Sequence, residues 1–126
     1  MGSVGAKGIC YLSGVGGKKR NLETAMTYLK QAANAGCRVA KNELGLCFKQ
    51  GKGVKQDFAM ARNFFEKASA RGLGDATFNL GVLYESGAGV PKNMTKAFEL
   101  YQNAAGSGHV SAILALAHCY ENGIGV

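Results

Sequence analysis

The chain has 126 residues, of which 47% are hydrophobic and only one is proline, a composition that excludes intrinsic disorder and is typical of a single folded domain. No apolar stretch approaches the roughly 20 residues that a membrane-spanning helix needs. The formal net charge of +7 is uneven, because residues 1–72 hold thirteen Lys/Arg and four Asp/Glu, whereas residues 73–126 hold two and four.

A repeated pattern organises the whole chain. The stretch LGLCFKQGKGVKQD at 44–57 recurs as LGVLYESGAGVPKN at 80–93, so that Gly45 and Gly81 are 36 residues apart. The same offset relates Phe65 to Tyr101. Matches at one constant spacing indicate a repeat architecture, in which neighbouring units stack to bury a common core.

The first predicted repeat covers residues 3–38. Its first helix lies at about residues 3–13 and is followed by a glycine-rich loop. The second helix, at 21–38, begins at Asn21, a residue type that caps helix N-termini well. Residues spaced by four and three positions form one face of this helix; they are Ala25, Leu29 and Ala32.

The second predicted repeat, residues 39–75, has the same design. Asp57 is placed as the N-cap of its second helix. The apolar face of the first helix consists of Ala40, Leu44, Cys47 and Phe48. The matching face of the second helix consists of Ala61, Phe65 and Ala68.

The third predicted repeat, residues 76–111, contains a glycine beside the apolar face of its first helix. Glycine within a helix costs about 1 kcal/mol relative to alanine, so the recurrence of Gly81 predicts that a neighbouring helix approaches closely there. The glycines of ESGAGV suit a helix C-cap and a turn, and Asn93 suits the next N-cap. The two faces are Ala76, Leu80, Leu83 and Tyr84, then Ala97, Tyr101, Ala104 and Ala105.

Residues 112–126 form a partial fourth repeat, which contains a first helix and a loop but no second helix. The sequence therefore predicts a single solenoid over residues 1–126 that is a fragment of a longer array. Isolated repeats cannot bury their apolar faces without neighbours. We accordingly expect weak self-association through the face of Leu116, Cys119 and Tyr120.

The four cysteines do not fit a disulfide pattern. Cys10, Cys47 and Cys119 occupy one repeat position, and such residues lie about one interhelix distance apart, roughly 8–10 Å, which is too far for a disulfide. Cys37 lies ten residues before Cys47, about 15 Å along a helix. We therefore predict free thiols. Together with the lack of a signal-peptide pattern, free thiols favour a cytoplasmic location.

The sequence contains no pattern of catalytic or ligand-binding chemistry. Gly17-Lys18-Lys19 resembles the end of a phosphate-binding loop but has neither the first glycine nor the final hydroxyl of that motif. His109 and His118 lack a second ligand at metal spacing, and no serine begins an S-x-x-K motif. We therefore predict a protein without catalytic residues, metal or cofactor.

The repeat, A-x-x-x-L-G-x-x-Y-x-x-G-x-G-V followed by A-x-x-x-[FY]-x-x-A, closely resembles the Sel-one-like repeat family, a relative of the tetratricopeptide repeat with a slightly longer unit. Departures include Ala117, where glycine is expected, and Lys7, where leucine is expected. The resemblance implies an all-α fold, a right-handed α-α superhelix of antiparallel helix hairpins. It also implies an adaptor that assembles protein complexes.

Solenoids of this kind present one extended concave surface, lined by the first helices of the repeats. The function predicted is a non-catalytic scaffold that binds a partner protein or peptide there. The alternative is a basic surface that binds nucleic acid or another anionic partner, but the basic residues lack the interleaved aromatic residues that stack on bases. The predicted partner-facing residues are Asn42, Leu46, Lys49, Phe78, Val82, Glu85, Leu114, His118 and Glu121.

Overall fold

The structure is a computed structural model that describes residues 22–123, in two compact units divided between Phe64 and Phe65. Within this range the chain forms six helices of 13 residues each and no strand, which confirms the predicted all-α class. The predicted helix at 3–13 lies outside the described residues. The helices are α1 (Leu22–Asn34), α2 (Arg38–Gln50), α3 (Phe58–Ala70), α4 (Gly74–Ser86), α5 (Met94–Gly106) and α6 (Val110–Asn122).

Two of the predicted N-caps and a predicted glycine C-cap are present at the helix ends, whereas the third predicted N-cap, Asn21, lies outside the described residues. The Asn93 side chain accepts a hydrogen bond from the backbone N–H of Lys96 at 3.0 Å, and Asp57 caps α3 in the same manner. Gly87 ends α4 in the left-handed conformation, with φ 72°, and donates its N–H to the Leu83 carbonyl at 2.9 Å. A side chain is strained at such a φ, which explains why glycine recurs at this position.

The first unit is built on the contact between α1 and α2. The apolar face predicted for α1 is buried, and Leu44 of α2 is 1% exposed. From α3, Phe64 stacks on Phe48 with ring centroids 5.8 Å apart and planes inclined by 13°. The buried core residues of this unit are Ala25, Met26, Leu29, Ala32, Ala33, Ala40, Leu44 and Cys47.

In the second unit α4 packs on α5, and α5 packs on α6. The predicted core face of α5 is buried, with Tyr101 2% exposed and Ala104 fully buried. Position 81 of α4 faces Leu100 and Tyr101. Gly74, at the N-terminal end of the same helix, faces Ala104. This opposite order of contacts shows that α4 and α5 form an antiparallel hairpin, as predicted.

The described cysteines are all free, as predicted; Cys10 lies outside the described residues. Cys47 and Cys119 are each 3% exposed. Burial, the larger cause, and a neighbouring glutamate raise the pKa of both thiols above its ordinary value of 9.0. Protonated, buried thiols of this kind act as small apolar side chains.

Candidate partner-binding surface

The residues predicted to contact a partner lie on α2, α4 and α6, and their exposure differs widely. On α2, Asn42 is buried, with 5% of its surface exposed, and Leu46 and Lys49 are half-buried. On α6, Leu114 is 66% exposed. Because Asn42 and Leu114 occupy equivalent repeat positions, the position alone does not determine the exposed fraction of the side chain.

On α4 the predicted apolar pair, Phe78 and Val82, is half-buried and packs against the core of the second unit. The Phe78 ring lies 5.5 Å from the ring of Tyr101, centroid to centroid, with a 36° tilt. It also stacks on His109, with centroids 5.0 Å apart and planes inclined by 28°. Phe78 therefore presents part of its ring to solvent while buried neighbours hold its orientation.

Beside this pair, Glu85 is exposed but holds a core side chain. The Tyr101 hydroxyl donates a hydrogen bond to Glu85 Oε1 at 2.7 Å. Burial raises the pKa of the Tyr101 phenol well above its ordinary value of 10.0, and the hydrogen bond and charge of Glu85 raise it further. A neutral phenol therefore links α5 to α4 immediately below the predicted surface.

The predicted close approach at Gly81 is confirmed, and the approaching helix is α5. A Cβ atom on Gly81 would lie 2.7 Å from Cε1 and 3.0 Å from Cδ1 of the Tyr101 ring, and 3.4 Å from Cβ of Leu100. Carbon atoms in favourable contact lie about 3.5–4.0 Å apart. The missing side chain of Gly81 is therefore what admits the Tyr101 ring.

His109 has a structural role that the repeat pattern did not predict. Its Nδ1 accepts a hydrogen bond from the backbone N–H of Ala112 at 3.2 Å, which caps α6. The ring then carries its proton on Nε2, which lies 2.6 Å from Asp75 Oδ1. The side chain is 19% exposed. His109 thus joins the start of α6 to the first turn of α4 and supports Phe78 from one side.

Replacing His109 with alanine should lower the free energy of unfolding by about 1–2 kcal/mol, because the variant loses a helix cap and a partly exposed hydrogen bond to Asp75. Denaturant unfolding followed by circular dichroism measures this change. His118→Ala is the matched control, since His118 is exposed and its ring forms a hydrogen bond with Asn122 of the same helix; it should change stability by less than about 0.5 kcal/mol. Equal effects of the two replacements would contradict this role of His109.

The α6 helix has the most exposed apolar surface of the described residues. The positions of α4 that are equivalent to the exposed apolar positions of α6 are buried or half-buried. Of the residues expected to promote self-association, Tyr120 is 63% exposed, Leu116 is half-buried and Cys119 is buried. The large exposed apolar residues of α6 are Val110, Ile113, Leu114 and Tyr120, and the polar site residues His118 and Glu121 are exposed as well.

Residues 22–123 contain no group of three or more His, Cys, Asp or Glu side chains placed to hold a metal ion. No helix in this range combines the length and the apolar character that crossing a membrane requires.

Comparison with known proteins agrees with the repeat pattern. A model of the Sel1 repeat matches residues 4–37, 38–73, 74–109 and 110–126. Among solved structures, the chain is similar to c5321, a protective antigen of uropathogenic Escherichia coli strains with an SLR fold, at 34% identity and a TM-score of 0.87. It is also similar to a Sel1 repeat protein from Oxalobacter formigenes, at 33% identity and a TM-score of 0.91. No curated protein matches the chain.

These likenesses extend over most of the chain but only part of each relative. The alignment covers 94% of this chain and 25% of the E. coli antigen. For the O. formigenes protein the shares are 99% and 51%. The predicted solenoid class of helical hairpins is therefore confirmed, and Sel1 repeat proteins are generally non-catalytic scaffolds for protein interactions. With repeats matched along nearly its whole length, the chain belongs to the Sel1 repeat family.

Proposed function

We propose that this chain is a protein-interaction scaffold that binds a peptide or helix of a partner through the exposed side of its first helices. In the second unit the contact residues are those of α4 and α6 named above. In the first unit the proposal includes Leu46 and Lys49 of α2, with Asn42 contributing little area because it is buried.

The observation that carries this proposal is the apolar pair Phe78 and Val82 on α4, which neighbouring side chains hold in place. Interface residues that contribute most to affinity are large side chains in well-packed surroundings. Phe78 meets this description because Tyr101 and His109 fix its ring, and Val82 packs on the same core cluster. An amphipathic partner helix docks on such anchors with its own apolar face.

Replacing Phe78 and Val82 with serine should weaken binding of a partner isolated on the immobilised chain by about tenfold or more, since each lost anchor costs about 1–2 kcal/mol. Calorimetric titration of the purified partner measures the affinity. Circular dichroism and a melting curve establish that the variant is folded. Val82→Ser alone, which spares the ring contacts of Phe78, provides a second variant with less effect on the core.

Replacement of Ala59 and Ala70 with serine is the control, because both are exposed residues of α3, a second helix of the repeat that lies outside the proposed surface. A folded Phe78/Val82 variant that keeps its affinity would contradict the proposal. If replacement of Lys18, Lys19 and Arg20 instead abolishes binding, with a steep salt dependence, the basic surface is the site and the alternative function holds. Those three residues lie outside the described range.

We also infer weak self-association through α6. The exposed Tyr120 and half-buried Leu116 support it, because uncovered apolar side chains on a helix face favour burial against a second molecule. Light scattering should show an average mass that rises with concentration. Tyr120→Ser should reduce this rise, whereas a constant monomer mass at high concentration would contradict the inference.

A further inference from the structure

The first unit contains an apolar pocket of about 320 Å³ between α1, α2 and α3. We propose that this pocket is a second docking site, which takes one aromatic side chain from an acidic peptide segment. The pocket shares no residue with the surface proposed above. A negative result in the experiment on one site therefore does not contradict the proposal for the other site.

The floor and one wall of the pocket are firmly packed. Leu44 is 1% exposed and Ala33 is 7% exposed, so both belong to the core of the unit. Phe48 and Phe64 stack on each other at 5.8 Å and line the pocket together. A rigid apolar wall of this kind offers an incoming ring a preformed contact surface.

The mouth of the pocket is adaptable and accessible. Met60 lies there and is 36% exposed, and a methionine side chain adjusts its shape to different partners. Pockets for small molecules usually measure about 300–1,000 Å³. The volume found here lies at the lower end of that range and suits a single large side chain better than a whole cofactor.

The net positive charge of residues 22–64, together with Lys30 at the pocket, selects the flanking residues of the partner. Residues 22–64 hold seven Lys/Arg and three Asp/Glu, and one of those carboxylates, Asp57, is used to cap α3. Lys30 lies at the pocket and is exposed. Complementary charge steers an acidic segment to this unit and disfavours a basic one.

The same reasoning disfavours the chain's own N-terminal segment as the occupant. Residues 1–21 contain four Lys/Arg and no Asp/Glu, so this segment has the same sign of net charge as residues 22–64 and as Lys30 at the pocket. Nucleic acid is disfavoured for a different reason. Lys30 is the one basic residue among those that line the pocket, whereas single-stranded nucleic acid is bound in a positively charged groove that follows its backbone.

The test uses the full chain and a fluorescein-labelled peptide with a single phenylalanine flanked on both sides by glutamates. Fluorescence anisotropy measures its dissociation constant. Met60→Glu should weaken binding by about tenfold, because it places a carboxylate at the entrance for the apolar anchor. Lys30→Glu should weaken binding and reduce its dependence on salt. Changing the peptide phenylalanine to alanine should remove most of the affinity.

Two control variants introduce the same charge in the same unit, away from the pocket lining. Val39→Glu matches Met60→Glu, since Val39 is 42% exposed, and Lys55→Glu matches Lys30→Glu, since both lysines are exposed. Both controls should keep the dissociation constant within about twofold of the parent value. In the ¹³C-labelled chain, the methyl resonance of Met60 should shift on saturation with the peptide.

Several outcomes would overturn the proposal. One is an equal loss of affinity in the controls and the pocket variants, and another is a Met60 methyl resonance that does not respond to the peptide. Nuclear Overhauser contacts between Phe64 and residues 1–21 in the free chain would assign the pocket to that segment. A thymine oligonucleotide that displaces the peptide would assign it to nucleic acid, and a change in molecular mass on Met60→Glu would assign it to a second copy of the chain.

Discussion

Replacing Gly81 with valine should lower the free energy of unfolding by about 3 kcal/mol or more, since overpacking a well-packed core usually costs 1–3 kcal/mol and valine adds a branched side chain. The new Cβ would lie 2.7 Å from the Tyr101 ring. That ring cannot easily move away, because it is 2% exposed and its hydroxyl is bound by Glu85. Denaturant unfolding followed by circular dichroism measures the loss.

Gly74→Ala, in the same helix, is the matched control. A Cβ on Gly74 would lie 3.7 Å from its nearest neighbours, the Cβ atoms of Ser107 and His109, which is ordinary van der Waals contact. Alanine is favoured over glycine in a helix by up to about 1 kcal/mol, so this variant should be as stable as the parent or more stable. If Gly81→Val unfolds at the same denaturant concentration as Gly74→Ala, the close approach of α5 does not constrain the core.

Replacing Tyr101 with alanine should cost about 3–5 kcal/mol, the usual range for truncating a buried aromatic side chain. The ring fills the space beside Gly81 and contacts Phe78. Tyr101→Phe keeps the ring and removes only the hydroxyl, so it should cost about 1.5–3 kcal/mol, the value of a hydrogen bond to a charged group. Equilibrium unfolding of both variants separates the contribution of the ring from that of the hydrogen bond to Glu85.

A double replacement tests whether Gly81 and Tyr101 act on each other. The first repeat has Leu29 at the position of Tyr101, which shows that an aliphatic side chain is compatible with this site in the repeat. Gly81→Ala should therefore destabilise the parent more than it destabilises a Tyr101→Leu background. The difference is a coupling free energy, expected at about 0.5–3 kcal/mol for residues in contact. Strictly additive costs would mean that the two positions are independent.

Much of this fold could be predicted because each local signal occurs in several repeats. The cap at Asn93, the C-cap at Gly87 and the buried face that includes Tyr101 are all properties of short segments. Predicting the role of Gly81 required one further inference: a glycine that recurs within a helix indicates that a neighbouring helix lies close to it. In each case backbone geometry and side-chain spacing determine the outcome, and both can be read from sequence.

The details of the candidate surface could not be predicted in the same way. His109 occupies the position of Leu73 and Cys37, and neither of those side chains caps its helix. Histidine is also absent from the preferred N-cap residues, so only its place just before α6 could have indicated the role. Asn42 and Leu114 show the second difficulty: they share a register position, yet their exposed fractions are 5% and 66%. Exposure depends on tertiary neighbours, which a repeat pattern does not specify.

One departure from the repeat changes what can pack on α6. Ala117 stands where α4 has Gly81, and its side chain is exposed. A helix that came as close to α6 as α5 comes to α4 would press its aromatic ring against a methyl group. The face of α6 therefore discriminates between incoming helices by size: it excludes a tyrosine or phenylalanine at that point and admits alanine, serine or a more distant aliphatic residue. A hairpin designed to extend this array would need a small residue opposite Ala117, in place of the aromatic residue that the second and third repeats use, Phe65 and Tyr101.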